Sequence, residues 1–97
     1  MVKWTDHALT QVRHIHDYVA YDSPLYAKRV SDALVRKTVG LDKLPYKGRK
    51  VAELNEDHIR ELGQYSYRII YEIKTDDVIE ILAVIHKRQN FTADDLP

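Results

Sequence analysis

Cysteine is absent from this 97-residue chain, so no disulfide can staple it and no thiolate can hold a metal. A chain without cysteine suits a reducing compartment. Glycine is scarce, at three residues, which excludes a glycine-rich phosphate loop. No apolar run approaches the ~20 residues that a membrane span needs. The start, MVKWTDHA, has Lys3 but no apolar run behind it, so a signal peptide is not expected. Net charge is also missing: 15 basic residues cancel 15 acidic ones. Domains that neutralise several phosphates usually carry a basic excess, with a pI above ~9, so nucleic acid is disfavoured as a partner. The cancellation is uneven, with an excess of bases from Met1 to Gly48 and of acids from Arg49 to Pro97. These limits leave a single soluble domain over residues 1–97, expected in the cytoplasm. A chain of this length buries roughly 65% of its unfolded surface, enough to fold without staples.

What is present is strong periodicity. Val2 and Trp4 share a face of a short strand. Thr5-Asp6 offers a cap oxygen and a first-turn acid, and Ala8, Leu9, Val12, Ile15 and Val19 recur at helical spacing, predicting a helix over about Thr5 to Ala20. Ser23-Pro24 starts a second helix, whose stripe of Ala27, Val30, Leu34, Leu41 and Leu44 predicts an end near Leu44-Pro45. The short connection makes the pair an antiparallel hairpin. After a basic turn, an extended segment is expected around Val51 to Leu54. Ile59 to Leu62 reads as a strand and Gly63 to Ser66 as its turn. Tyr67, Ile69, Tyr71 and Ile73 alternate with Arg68, Ile70 and Glu72, the mark of a strand with one buried face. Lys74 to Asp77 is a polar turn, Val78 to His86 a nearly continuous apolar strand, and Asn90 to Pro97 a tail or a single frayed turn. The expected fold is α+β: an N-terminal helix hairpin packed on a three- to four-stranded antiparallel sheet. The other sheet face, displaying Arg68 and Glu72, is expected to be at least partly open and wet.

Candidate chemistry gathers on the strands. The helix histidines His7, His14 and His16 lack the i, i+4 spacing of a zinc pair, so no metal site is expected. His86 ends an apolar strand before Lys87-Arg88, placed either to exchange a proton or to close the strand edge. Arg68 in mid-strand needs a carboxylate, a phosphate or water around it, and Glu72 and Glu61 are the carboxylates in reach. No nucleophile–base–orienter pattern is visible, and Asp76-Asp77 and Asp94-Asp95 fall in a turn and the tail.

Six segments in register resemble one known family. They are KWTDHAL (from Lys3), I-x-D-Y-V-A-x-D-S-P-x-x-A (Ile15 to Ala27), L-P-Y-K-G-R-K-V-x-E-L (Leu44 to Leu54), I-R-E-L (Ile59 to Leu62), Y-R-I-I-Y-E-I (Tyr67 to Ile73) and I-L-A-V-I-H-K-R (Ile81 to Arg88). Together they are similar to the ParE branch of the ParE/RelE toxin superfamily, over about Lys3 to Arg88. The resemblance implies the toxin of a type II toxin–antitoxin pair, the kind called a plasmid stabilisation protein. It implies a helix hairpin on an antiparallel sheet, a cognate antitoxin that wraps the toxin, and no cofactor. ParE-like toxins poison DNA gyrase, whereas the RelE branch cleaves mRNA in the ribosomal A site.

If this chain were such a ribonuclease, its catalytic groups would be Arg60, Arg68, His86 and Arg88. Arg68 and Arg88 occupy RelE-like positions and could stabilise a phosphorane. Two departures count against that branch. Arg60 stands beside Glu61 where RelE-type toxins carry a basic pair, and no tyrosine follows His86 to serve as the tail acid–base group. A carboxylate facing the scissile phosphate repels it, and a neutral chain is a poor ribosome ligand. The first expectation is therefore a gyrase-directed binding protein and not an enzyme, with Arg49, Arg60, Arg68, His86 and Arg88 as candidate target contacts. The alternatives are a ribosome-dependent mRNA endonuclease and a non-toxic paralogue that only binds an antitoxin.

Overall fold

The computed structural model describes residues 1–75 and 77–96. Asp76 of the expected polar turn and Pro97 of the tail lie outside them. In chain order the elements are β1 (Val2–Trp4), α1 (Asp6–Ala20), α2 (Pro24–Lys37), β2 (Arg49–Lys50), β3 (Ile59–Gln64), β4 (Tyr67–Ile73) and β5 (Ile79–His86), with single 3-10 turns at Pro45–Lys47 and Ala93–Asp95. The α+β architecture is as expected: the helix hairpin lies on one face of a sheet ordered β1-β5-β4-β3-β2. The strand count is not, because the sheet has five strands and is mixed. β1 pairs in parallel with β5, Val2 opposite Ile79 and Trp4 opposite Ile81, a partner more than seventy residues away that no local pattern announces.

Thr5 joins the layers. Its Oγ1 accepts the Ala8 N–H at 3.1 Å and donates to the Ile81 carbonyl at 2.8 Å, so the cap of α1 is also a bond to the central strand. Such a cap stabilises by about 1 kcal/mol. In the same way Ser23 Oγ accepts the Tyr26 N–H at 3.1 Å and Pro24 opens α2.

The second helix stops at Lys37, seven residues before the expected end. Thr38 turns its hydroxyl onto the Val35 carbonyl at 2.8 Å, offering the backbone an alternative to continued helix. Gly40 then takes φ +86°, a left-handed conformation that glycine accepts without steric cost. Leu41 stays buried across the turns, but Leu44 ends 64% exposed, outside the predicted stripe. The expected extended segment at Val51 to Leu54 is a set of turns, and the extended residues are Arg49–Lys50 just before it. Gly48 sits where chains meet: an added Cβ would lie 2.5 Å from the Glu61 carbonyl and 2.7 Å from the Tyr71 hydroxyl.

β3 runs on to Gln64, so its hairpin with β4 has only two turn residues, Tyr65 and Ser66, between the paired Gln64 and Tyr67. Tyr65 takes φ +54°. That conformation costs a non-glycine residue about 1–3 kcal/mol.

Both sheet faces have a core. Under the helices Ala8, Val12, Val30, Leu34 and Leu41 pack on Leu62, Ile69, Tyr71, Ile79, Ile81 and Val84. On the other face Val51, Ile59, Ile70, Leu82, Ala83, Ile85 and Phe91 form a second cluster, with Leu54 and Leu96 against it. The face expected to be open is thus partly covered by the 51–54 turns and the tail. A bulge makes this possible. Ile70 pairs with Ala83 and Tyr71 with Ile81, leaving Leu82 unpaired on β5. The extra residue lets Leu82 and Ala83 both face the second cluster, and it moves Val84 and His86 to the helix side.

Candidate functional site

Cross-strand neighbours share a face, so register decides which candidates can meet. Arg49 stands opposite Glu61, Glu61 opposite Ile70, and Arg68 opposite Gly63 and Ile85; all lie on the face away from the helices. Arg60 stands opposite Tyr71 and His86 opposite Tyr67, both on the helix face. The four residues a ribonuclease would need are therefore divided by the sheet.

Arg68 is the centre of the first group. Its Nε donates to Glu61, its Nη1 and Nη2 donate to the two oxygens of Glu53 at 2.8 Å each, and Nη1 also donates to the Gln89 carbonyl at 2.8 Å. The two-point grip on Glu53 is the planar fork-to-carboxylate fit that only arginine makes. The Arg68 side chain is only 11% exposed and that of Glu61 6%. Arg68 is thus neither wet nor paired with Glu72, which instead lies within reach of His58 and Lys74. Glu53 also accepts the Phe91 N–H at 2.8 Å, so one carboxylate joins the 51–54 turns, the strand and the tail. The Arg68 hydrogen bonds hold the Glu53 carboxyl down at about 2, with the Phe91 N–H helping and partial burial opposing. Hydrogen bonds to Glu53 and then Glu61 push the Arg68 guanidinium still higher than usual. Arg49 reaches Glu61 from the rim at 2.9 Å, with its own side chain 82% exposed. A shallow cleft of about 350 Å³ opens there, with Lys50 and Lys87 on its walls.

Arg60 is occupied as fully on the other face. Its Nη1 donates to the Gly48 carbonyl, its Nε to the Asp57 carbonyl and its Nη2 to Asp57 Oδ1, all at 2.9 Å, and its guanidinium lies 4.7 Å from the centre of the Tyr46 ring. Tyr71 completes this clamp, donating to the Pro45 carbonyl at 2.6 Å and accepting the Gly48 N–H at 2.9 Å. Burial raises the Tyr71 hydroxyl above its ordinary range, so it stays protonated and keeps that donor. The Pro45–Arg49 stretch is therefore pinned to the sheet by Arg60 and Tyr71.

His86 packs edge-on against Tyr67, with ring centres 6.1 Å apart and planes at 81°, and its Nδ1 accepts the Arg88 N–H at 3.2 Å. It is the last residue of β5. Together with His14, Ile15, Tyr18 and Tyr67 it lines an open cleft of about 410 Å³ beneath α1. Burial raises the Tyr67 hydroxyl above its ordinary range. Arg88 is exposed in the turn after β5. Among the described residues no three His, Asp or Glu side chains gather as a metal would require.

Sequence reasoning missed Glu53, the strongest partner of Arg68. Its only signal was its place in the L-P-Y-K-G-R-K-V-x-E-L segment. It also missed Gln11, whose Oε1 accepts the Val84 N–H at 2.7 Å beside the bulge.

Residues 2–91 match the family profile described as the ParE toxin of the type II toxin–antitoxin system, parDE. Among solved structures, a chain of the chromosomal ParDE system from P. aeruginosa aligns with TM-score 0.70 at 22% identity, over 88% of this chain and 92% of that one. A search of the curated proteins finds no match.

Proposed function

The chain belongs to the ParE toxin family of type II toxin–antitoxin systems, and from that premise we propose that it poisons DNA gyrase in the cytoplasm and is neutralised by a cognate antitoxin. It acts as a binding protein that arrests an enzyme, with no bond-breaking chemistry of its own. The state of Arg68 carries this reading. A guanidinium that grips Glu53, Glu61 and the Gln89 carbonyl has no open donor fork for a scissile phosphate. Two carboxylates beside it would repel one. The separation of His86 from Arg68 by the thickness of the sheet supports the same reading, since a general acid and a phosphorane stabiliser must reach one phosphate. Of the candidate target contacts, Arg49, His86 and Arg88 present exposed side chains. Arg60 and Arg68 shape the surface from within.

The test is a supercoiling assay with purified gyrase. The toxin should lower supercoiling or accumulate cleaved DNA, and a prior equivalent of antitoxin should prevent both. Gyrase that turns over normally in excess toxin would overturn the proposal.

A further inference from the structure

We propose that the cleft beneath α1 binds a free purine nucleoside, adenosine, whose base is read by the backbone at the end of β5. β1 pairs with β5 only over Ile79–Ile81, so among the described residues the outer edge of β5 has no partner strand from there to His86. Two bonds fix which way that edge faces. The Val84 N–H points outward to Gln11 Oε1 at 2.7 Å, and the Lys87 N–H points inward to the Ser66 carbonyl at 2.8 Å. Backbone groups alternate along a strand, so Val84 and His86 both turn their N–H and C=O to the outer edge. Two of these four groups are taken, the Val84 N–H by Gln11 and the His86 C=O by the Gln89 N–H at 2.9 Å. The Val84 C=O and the His86 N–H have no hydrogen-bond partner among the described residues. Val84 is only 2% exposed, so its carbonyl gains more from a donor that enters the cleft than a solvated carbonyl would.

What remains is one acceptor and one donor, two residues apart on one strand edge. A partner strand needs a longer row of such groups, and Gln11 and Gln89 have closed the rest of this one. A flat heterocycle needs only these two. Adenine carries its exocyclic amine beside a ring nitrogen, so the amine donates to the Val84 C=O and the ring nitrogen accepts from the His86 N–H. Ile15 and Tyr18 from α1, with Tyr67 from β4, offer the apolar and aromatic surface on which a base stacks. At about 410 Å³ the cleft has the size of a small-molecule site. Among the described residues that line it there is no carboxylate, lysine or arginine, so it selects an uncharged ligand. The absence of net positive charge, which weighs against a nucleic-acid backbone, is no obstacle to a nucleoside, because a nucleoside carries no phosphate. The site is independent of the gyrase reading and of the Arg68 cluster on the other face.

Adenosine is the probe, titrated into the intact protein and followed by amide NMR. The His86 N–H should shift saturably and exchange more slowly, with little dependence on salt. Adenosine dimethylated on its exocyclic amine lacks the donor and should bind at least about tenfold more weakly. Tyr18 is 81% exposed, so Tyr18→Ala removes ring surface without opening the core. That variant should weaken binding about tenfold and leave the melting temperature unchanged. An adenine trinucleotide should bind no better than the nucleoside. Absence of saturable binding, equal binding of the dimethylated form, indifference to Tyr18→Ala, or an unmoved His86 amide would overturn the proposal. Tighter binding of the trinucleotide would overturn the assignment to a free nucleoside.

Discussion

The two faces of the sheet are covered in different ways. Under the helices, side chains at helical and two-residue periods interdigitate, and burying each large one stabilises by about 1.5–3 kcal/mol. Among the described residues the second face has no α-helix. A set of turns and a tail cover it, and Arg68 ties both to the sheet through Glu53, Glu61 and the Gln89 carbonyl. Apolar contact holds both faces, and on the second a few named bonds also fasten the cover to the sheet. The difference bears on the proposed role, in which Arg68 fastens a cover and takes no part in catalysis.

The largest expected effect tests whether the second face is a core at all. Phe91 is fully buried there, so Phe91→Ala should cost about 3–5 kcal/mol in urea unfolding, as much as Leu34→Ala under the helices. A loss below about 1 kcal/mol would show the tail merely draped over the sheet. Next comes Arg68→Ala, which leaves two carboxylates facing each other without their shared cation. It should cost about 2–4 kcal/mol at neutral pH and free the tail to exchange its amides. An unchanged melting temperature would contradict the fastening role.

The smallest effect is a pH dependence. Glu53 has a folded pKa near 2, below its unfolded value of 4.5. Its contribution is therefore complete above about 4.5 and is lost as the pH falls from there towards 2. Glu53→Gln keeps the acceptor for Phe91 but removes the charge. The stability gap between wild type and this variant should be constant at neutral pH and shrink across that acid window. A gap that stays level to pH 2 would mean that Arg68 does not hold Glu53.

Legibility followed the same division. The helix hairpin, β4 and β5 and the helix-side core were readable because their periodicity is local. Arg68 with Glu61 was within reach because adjacent strands bring them together. Glu53 was not, since a turn residue gains its partner only when the 51–54 segment folds over the sheet. β1 pairs with a strand at the far end of the chain, and the Leu82 bulge hides in an apolar run where every phase looks alike. The early end of α2 depends on the Thr38 hydroxyl and the Gly40 conformation, and the apolar stripe that runs on to Leu44 hid how early it comes. Arg60 and His86 read as neighbours of Arg68 along the chain, but strand alternation and the bulge placed them on the opposite face.

The measurement that bears most directly on this assignment is A-site cleavage on ribosomes programmed with mRNA, using the wild-type protein beside its Arg68→Ala and His86→Ala variants. The account predicts no cuts from any of the three. Cuts by the wild type would contradict it, and their loss in both variants would mean that the two faces of the sheet act on one phosphate.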